Sequence, residues 1–491
     1  MNVLKILLPG LFTAHIIAAV QVYLSNAGLY RSLVAIRDAG YLAIPNRHAM
    51  ANLGALDSAF LGGLFFTLSA GAGLSILAFA AAWIWDRILS RSRVSLVFLL
   101  IAWIGFLVPV NLKGFCPAAT SYFLFIPPVV FIAAVIWMPE QTTAKTRRNE
   151  LIHIVPLLLL AFIWVPMAGS NVFLNIRDSF FLAGPPGKWV NDFYYDYTLY
   201  PAEAFKSLEQ KMIRTCDTGG VGEGVAANRI KRTLLFHDYL PVNGYASVDL
   251  DISMERNMLV FKNEGETVLR VTPAVFLSRP GSVLKDFSMK TDRYDFFRKF
   301  VFFCLLTGSP VILYVVLHTL FSLVLTPFVK SGRVSFMATV LCFLTGVSLL
   351  ILLCCGGGKM VDEGNVSEAM RSGSWKNRVA ALKFIGQKDM EVSDFETYEQ
   401  ILKSPTVPER YWLAKAMSKS RTPETIGALL SLIDDPHRNV ACMAFYSLGR
   451  RGDVSVKGEI MRRIETSGDW YTQWYAYRAL KALGWKQAQS K

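Results

Sequence analysis

"GGLFFTLSAGAGLSILAFAAAWIW", residues 62 to 85, carries no charged side chain and exceeds the roughly 18 apolar residues read as a membrane-crossing helix. Within it, Ser69, Gly71, Gly73 and Ser75 place small residues where a second helix can approach closely. Six further stretches are of the same kind: 3–24, 94–110, 119–138, 151–170, 300–326 and 334–355, with this one extended to 58–85. Trp83, Trp85, Trp103 and Trp137 sit near the ends of these runs, as amphipathic rings do at headgroup depth. In the fourth run Pro127-Pro128 predicts a kink or a break.

Composition agrees with a chain largely in lipid. Of 491 residues 53% are hydrophobic, with a mean hydropathy of +0.36. The formal charge of +14 is scattered over loops and tail without a long basic run, which argues against nucleic acid and for loop charge beside anionic lipid. The basic loops 86–93 (Arg87, Arg91, Arg93), 139–150 (Lys145, Arg147, Arg148) and 327–333 (Lys330, Arg333) share one side, which the positive-inside rule makes cytoplasmic. Arg31, Arg37, Arg47, Arg298 and Lys299 count against that orientation. On this reading the amino terminus is inside, and residues 171–299 and 357–491 are extracytoplasmic. Lys5, an apolar run and "SNA" at 25–27 also fit a cleaved signal peptide, whereas Pro9, His15 and the length of the run favour a retained span.

The seven cysteines show no CxxC and no zinc spacing. Cys116 and Cys216 fall on the same outer side, which allows a disulfide between them. Between the fifth and sixth runs, Val248, Leu250, Ile252 and Met254 alternate with polar residues as a half-buried strand does. "MLVF" (258–261) and "TVLRV" (267–271), joined through Asn263-Glu264-Gly265, predict a hairpin, and "PAEAFKSLEQKMI" from Pro201 predicts a short helix. The region is therefore a small α+β domain. It opens on the aromatic stretch "DFYYDYTLYP" (192–201). "GGVGEG" at 219–224 lacks a phosphate-loop pattern and reads as a flexible loop.

The tail repeats itself. "RVAALKFIG" (378–386), "RYWLAKAMS" (410–418), "NVACMAFYSLG" (439–449) and "YAYRALKALG" (475–484) place Ala381, Ala414, Ala444 and Ala479 about 30 to 35 residues apart, each in an amphipathic helix. Residues 367–486 resemble HEAT-like repeats of the short type, although the second unit has Met417-Ser418 where the others close on Gly. The resemblance implies an α-solenoid of the kind that binds proteins or acts as a scaffold. In the last unit Tyr471, Tyr475, Ala479 and Leu483 form one stripe, the expected buried face. Trp470, Trp474 and Trp485 fall outside it; they suggest docking on the membrane surface, on the 171–299 domain or on a partner, set against a well-filled last core layer.

Chemistry is sparse. His15, mid-way along the first run, and His318, in the sixth, are costly in lipid and suggest a haem b or proton site; the alternative is a histidine bonded to a neighbouring helix. Arg177 and Asp178 read as a local ion pair, and HExxH, GxSxG and Walker A patterns are absent. The sequence thus predicts a multi-pass α-helical membrane protein of about seven spans, divided into 1–170, 171–299, 300–356 and 357–491. Its location would be a cell (inner) membrane. Its expected role is that of a scaffold or accessory subunit, with no residue assigned a catalytic role, with membrane lipid and a protein as partners, no nucleic acid and no metal. Trp470, Trp474, Trp485, Arg450 and Arg451 are the expected partner contacts. The alternatives are a transport or electron-transfer subunit using His15 and His318, and an enzyme housed in 171–299.

Overall fold

A computed structural model describes residues 3–138, 155–165, 170–242, 244–245, 247–355 and 360–489. The main helices are, in chain order, α1 (Val3–Asp38), α2 (Leu56–Arg87), α3 (Arg93–Asn111), α4 (Pro117–Trp137), α5 (Val155–Val165), α6 (Pro185–Tyr197), α7 (Asp295–Leu325), α8 (Ser331–Cys355), α9 (Trp375–Lys388), α10 (Val407–Ala416), α11 (Arg438–Arg451) and α12 (Trp470–Ala482). Among the described residues six are long and apolar enough to cross a membrane: α1 to α4, α7 and α8. The expected run over 151–170 is represented by the shorter α5; the rest of it, and the basic loop with Lys145, Arg147 and Arg148, lie outside the described residues.

Small residues set the packing of the apolar helices. Gly10, Ala14, Ala18, Val22 and Asn26 recur every fourth position and form one buried stripe on α1. Against it lie Gly71, which faces Ala14, and Ser75, which faces Gly10. Gly73 and Gly308 bring α2 and α7 backbone to backbone: a Cβ on Gly308 would stand 2.8 Å from the Gly73 nitrogen. Midway along α2, Thr67–Gly71 widens into a π turn. Hydroxyl side chains add bonds to carbonyls in and around this turn. The Thr67 hydroxyl donates to the Gly63 carbonyl (3.0 Å), Ser69 to that of Phe65 (2.7 Å), and Ser309 of α7 to that of Leu68.

Pro127-Pro128 does not break α4, which is continuous from Pro117 to Trp137. Proline 127 cannot donate to the Phe123 carbonyl, but Trp103 of α3 does so through Nε1 at 2.7 Å. Replacing Trp103 by Phe keeps most of the volume and orphans that carbonyl. The expected cost is about 1–3 kcal/mol, read as a lowered Tm of the purified protein; an unchanged Tm would show that the helix tolerates the gap unaided.

The chain between Phe205 and Thr291 forms a five-stranded sheet of order β2-β1-β3-β4-β5, with β1 (Arg214–Asp217), β2 (Tyr239–Pro241), β3 (Leu250–Glu255), β4 (Met258–Asn263) and β5 (Glu266–Val271). Strand β1 runs parallel to both β2 and β3, and the two later pairings are antiparallel. Arg256-Asn257 and Glu264-Gly265 turn the hairpins with positive φ at both central residues, the geometry that suits the strand twist. The helix expected from Pro201 ends at Ala204, and β1 and β2 lie in stretches without apolar alternation. Cys116 and Cys216 are both buried and free, the first in the helix bundle and the second in the sheet core, so the disulfide is absent.

In the tail α9, α10, α11 and α12 stack in a row, each touching the next. Ala381, Ala414, Ala444 and Ala479 are buried at the contacts. A Cβ on Gly449 would lie 2.8 Å from the Ala479 Cα, which sets the spacing of α11 and α12. Equivalent arginines tie successive units: Arg378 binds Glu409 and the Ser372 carbonyl, and Arg410 binds Asp435 (2.6 Å) and the Ser404 carbonyl.

Candidate functional site

Each of the four stacked helices places side chains on one stretch of the same chain, residues 177–200. That stretch follows a short helix, Ser170–Ile176, makes a second π turn at Arg177–Phe181, and continues as α6. Gly187 is obligatory here, because a Cβ would run into the Phe180 carbonyl and stand 2.9 Å from the Phe181 Cα.

From α9, Lys383 reaches Asp178 (3.0 Å); from α10, Trp412 donates its Nε1 to the same carboxylate (2.7 Å), which Arg177 also pairs at 2.6 Å. Asp178 is 3% exposed, so these partners replace its water. The Arg177 guanidinium lies 3.9 Å from the Tyr411 ring centre. From α11, Arg438 pairs with Asp196, and Asn439 donates to the Tyr195 hydroxyl at 2.9 Å. From α12, Trp470 packs edge-on against Tyr200, and Tyr471 shares a hydrogen bond with Thr198 (2.8 Å) and packs on Tyr195. The aromatic stretch 192–201 is thus the seat of the tail.

Two further anchors flank this seat. The Tyr477 hydroxyl and Lys481 both bind Asp238, each at 2.8 Å, fixing α12 to the sheet domain. In the connection between α1 and α2, Asn46 donates to the Ile464 carbonyl (2.7 Å), and its backbone N–H donates to Gln473 (2.8 Å). Gln487 bonds both the N–H and the carbonyl of Leu42. Burial sets the electrostatics of the interface. It lowers the Lys415 ammonium below the ordinary lysine range, with Arg177 adding to the effect. Burial likewise holds His437 below the usual histidine range.

The expected partner contacts separate. Trp470 is 9% exposed and belongs to the seat. Trp474 is half-buried under Arg478, and Trp485 packs on Tyr477. Arg451 is held by Thr425 and the Thr422 carbonyl, whereas Arg450 is exposed beside Tyr446. His15 and His318 are not brought together: His15 bonds Thr67 of α2 at 3.0 Å, and His318 meets the Ser335 carbonyl of α8 at 3.3 Å. Among the described residues no cluster of three or more His, Cys, Asp or Glu side chains is placed to hold a metal. Asp178 was visible in the sequence only as a neighbour of Arg177. Trp412, Lys383, Asn46 and Gln473 carried no signal, because their partners lie hundreds of residues away.

No protein-family model, curated protein or solved structure matches this chain.

Proposed function

We propose that the protein is an integral membrane scaffold or accessory subunit whose HEAT-like tail is clamped to its own membrane-proximal surface. The observation that carries this reading is the seat itself: all four stacked helices engage residues 177–200, so the array is held in one orientation. The connection 39–55, the sheet domain and the tail touch one another, which supports placing them on one face of the membrane. Trp137 lies beside Lys5 at one end of α1 and Asn46 lies with the tail at the other. A seventh crossing over 151–170 would bring the chain back to the tail's side; by loop charge, that side is extracytoplasmic. With the inner surface occupied, a protein partner would meet the outward surface around Arg450 and Tyr446, the latter 41% exposed.

The test is affinity purification of the full chain in mild detergent beside Arg450→Glu/Tyr446→Ala. A stoichiometric partner held by the first and lost from the second is expected. A protein that comes out alone in both cases would overturn the reading.

A second reading, transport or electron transfer within the bundle, rests on buried polar atoms without a protein partner among the described residues. These are Nε2 of His15, the Asn26 side-chain amide, the Ser75 hydroxyl and the Tyr122 hydroxyl, all on α1, α2 and α4. A haem b spectrum of the purified protein lost in His15→Phe, with assembly intact, would favour it.

A further inference from the structure

Around Trp412, cations outnumber carboxylates. Lys383 and Lys415 lie 4.6 and 4.5 Å from its ring centre, and Arg177 lies 5.4 Å away. One acid, Asp178, serves this group, and it is already engaged by Arg177, Lys383 and the Trp412 N–H. Among the described residues Lys415 makes no hydrogen bond and no ion pair; its ammonium lies over the indole face and feels the Tyr446 hydroxyl and the shared Asp178 carboxylate only at longer range. A cation–π contact is a weak return for a partly desolvated ammonium. That does not offset three cations crowded in a half-buried site, where like charges repel more strongly than in water. The excess continues outward through Tyr446 to Arg450, whose guanidinium donates to the Tyr446 hydroxyl at 3.3 Å.

The cluster is reachable. The Arg177 and Lys383 side chains keep 22% and 26% of their surface, and Lys415 is half-buried. It also lies at the edge of the apolar region, since Phe173 and Phe180, just beyond α5, are more than half exposed. A guanidinium and two ammonium groups converging on a site short of acceptors suit a phosphate oxyanion.

We propose that Lys415, Lys383 and Arg177 form a binding site for a phosphate-bearing anion, with Lys415 as its main ligand. The anion is either the headgroup of an anionic lipid at the membrane surface or a free phosphate. The site does not depend on the scaffold reading, since it is built from this chain alone.

The test uses the full chain in detergent at matched ionic strength and reads Tm during titration with dioctanoyl phosphatidylglycerol, dioctanoyl phosphatidylcholine and inorganic phosphate. Phosphatidylglycerol is expected to raise the Tm of the wild type saturably, and the increment should shrink with added salt. In Lys415→Gln the half-saturating concentration should rise at least about tenfold, the loss of one charge-assisted contact. Without anion that variant should melt no lower than the wild type, because a repelling charge has gone. Lys415→Arg should keep the response, which separates charge from packing. An equal increment from inorganic phosphate assigns the site to a free anion; an increment confined to phosphatidylglycerol assigns it to the headgroup. A wild type that responds to neither, or a Lys415→Gln protein with an unchanged response, would overturn the proposal.

Discussion

Replacing Asp178 by alanine is expected to destabilise the seat of the tail by about 3–5 kcal/mol, the usual consequence of removing one partner from a buried ion pair. The carboxylate is 3% exposed and receives Arg177, Lys383 and the Trp412 Nε1 together. Its loss leaves two cations and an indole N–H facing one another with no acceptor. The expected result is a lowered Tm and faster protease cleavage between α8 and α9. Asp178→Asn, which can still accept from Trp412 but cannot neutralise charge, should fall between the two. Combining Asp178→Ala with Lys383→Ala should cost less than the sum of the single changes, because the second removes a cation that the first left unpaired. A Tm equal to the wild type in Asp178→Ala would mean that the contacts of α11 and α12 on residues 195–200, with the flanking anchors at Asp238 and Asn46, hold the tail without it.

The second large effect is expected inside the bundle. At Gly308 a Cβ would approach the Gly73 nitrogen at 2.8 Å and its Cα at 3.0 Å, so the obstruction is backbone and no rotamer change relieves it. Gly308→Leu must push α7 away from α2, breaking the hydrogen bond from Ser309 to the Leu68 carbonyl as it does so. Overpacking of this kind costs about 1–3 kcal/mol where side chains can give way, and more is expected here because they cannot. The readout is the monodisperse fraction after detergent extraction. Gly308→Ala should lose part of it and Gly308→Leu nearly all. Gly105→Leu on α3, where nothing lies within 4 Å, should lose none. Equal behaviour of Gly308→Leu and Gly105→Leu would refute the close approach of α2 and α7.

Most of the long elements are legible in local sequence, although β1 and β2 are not. An uncharged run such as 62–85 has few options but a long apolar helix, and alternation at 250–254 has few but a half-buried strand. The small residues Gly71, Gly73 and Ser75 marked close helix contacts, which fall on two sides of α2: Gly71 and Ser75 meet α1, and Gly73 meets α7. Likewise the recurring alanines marked the interfaces within the tail, and all four are buried there. Local chemistry of this sort is written in neighbouring residues.

Where the tail sits and how Pro127 is tolerated follow from contacts between distant elements. Trp103 satisfies the carbonyl that Pro127 leaves free, and nothing near either residue announces the pairing. Trp470 could equally have met lipid, a partner or this chain until Tyr200 was found against it. Asp178 read as half of a local ion pair; burial beneath Trp412 makes it the acceptor on which two helices of the tail converge. The contacts of Trp470 and Asp178 join residues more than 200 positions apart. Their stability comes from exclusion of water at the assembled surface, a property that no local stretch of sequence possesses.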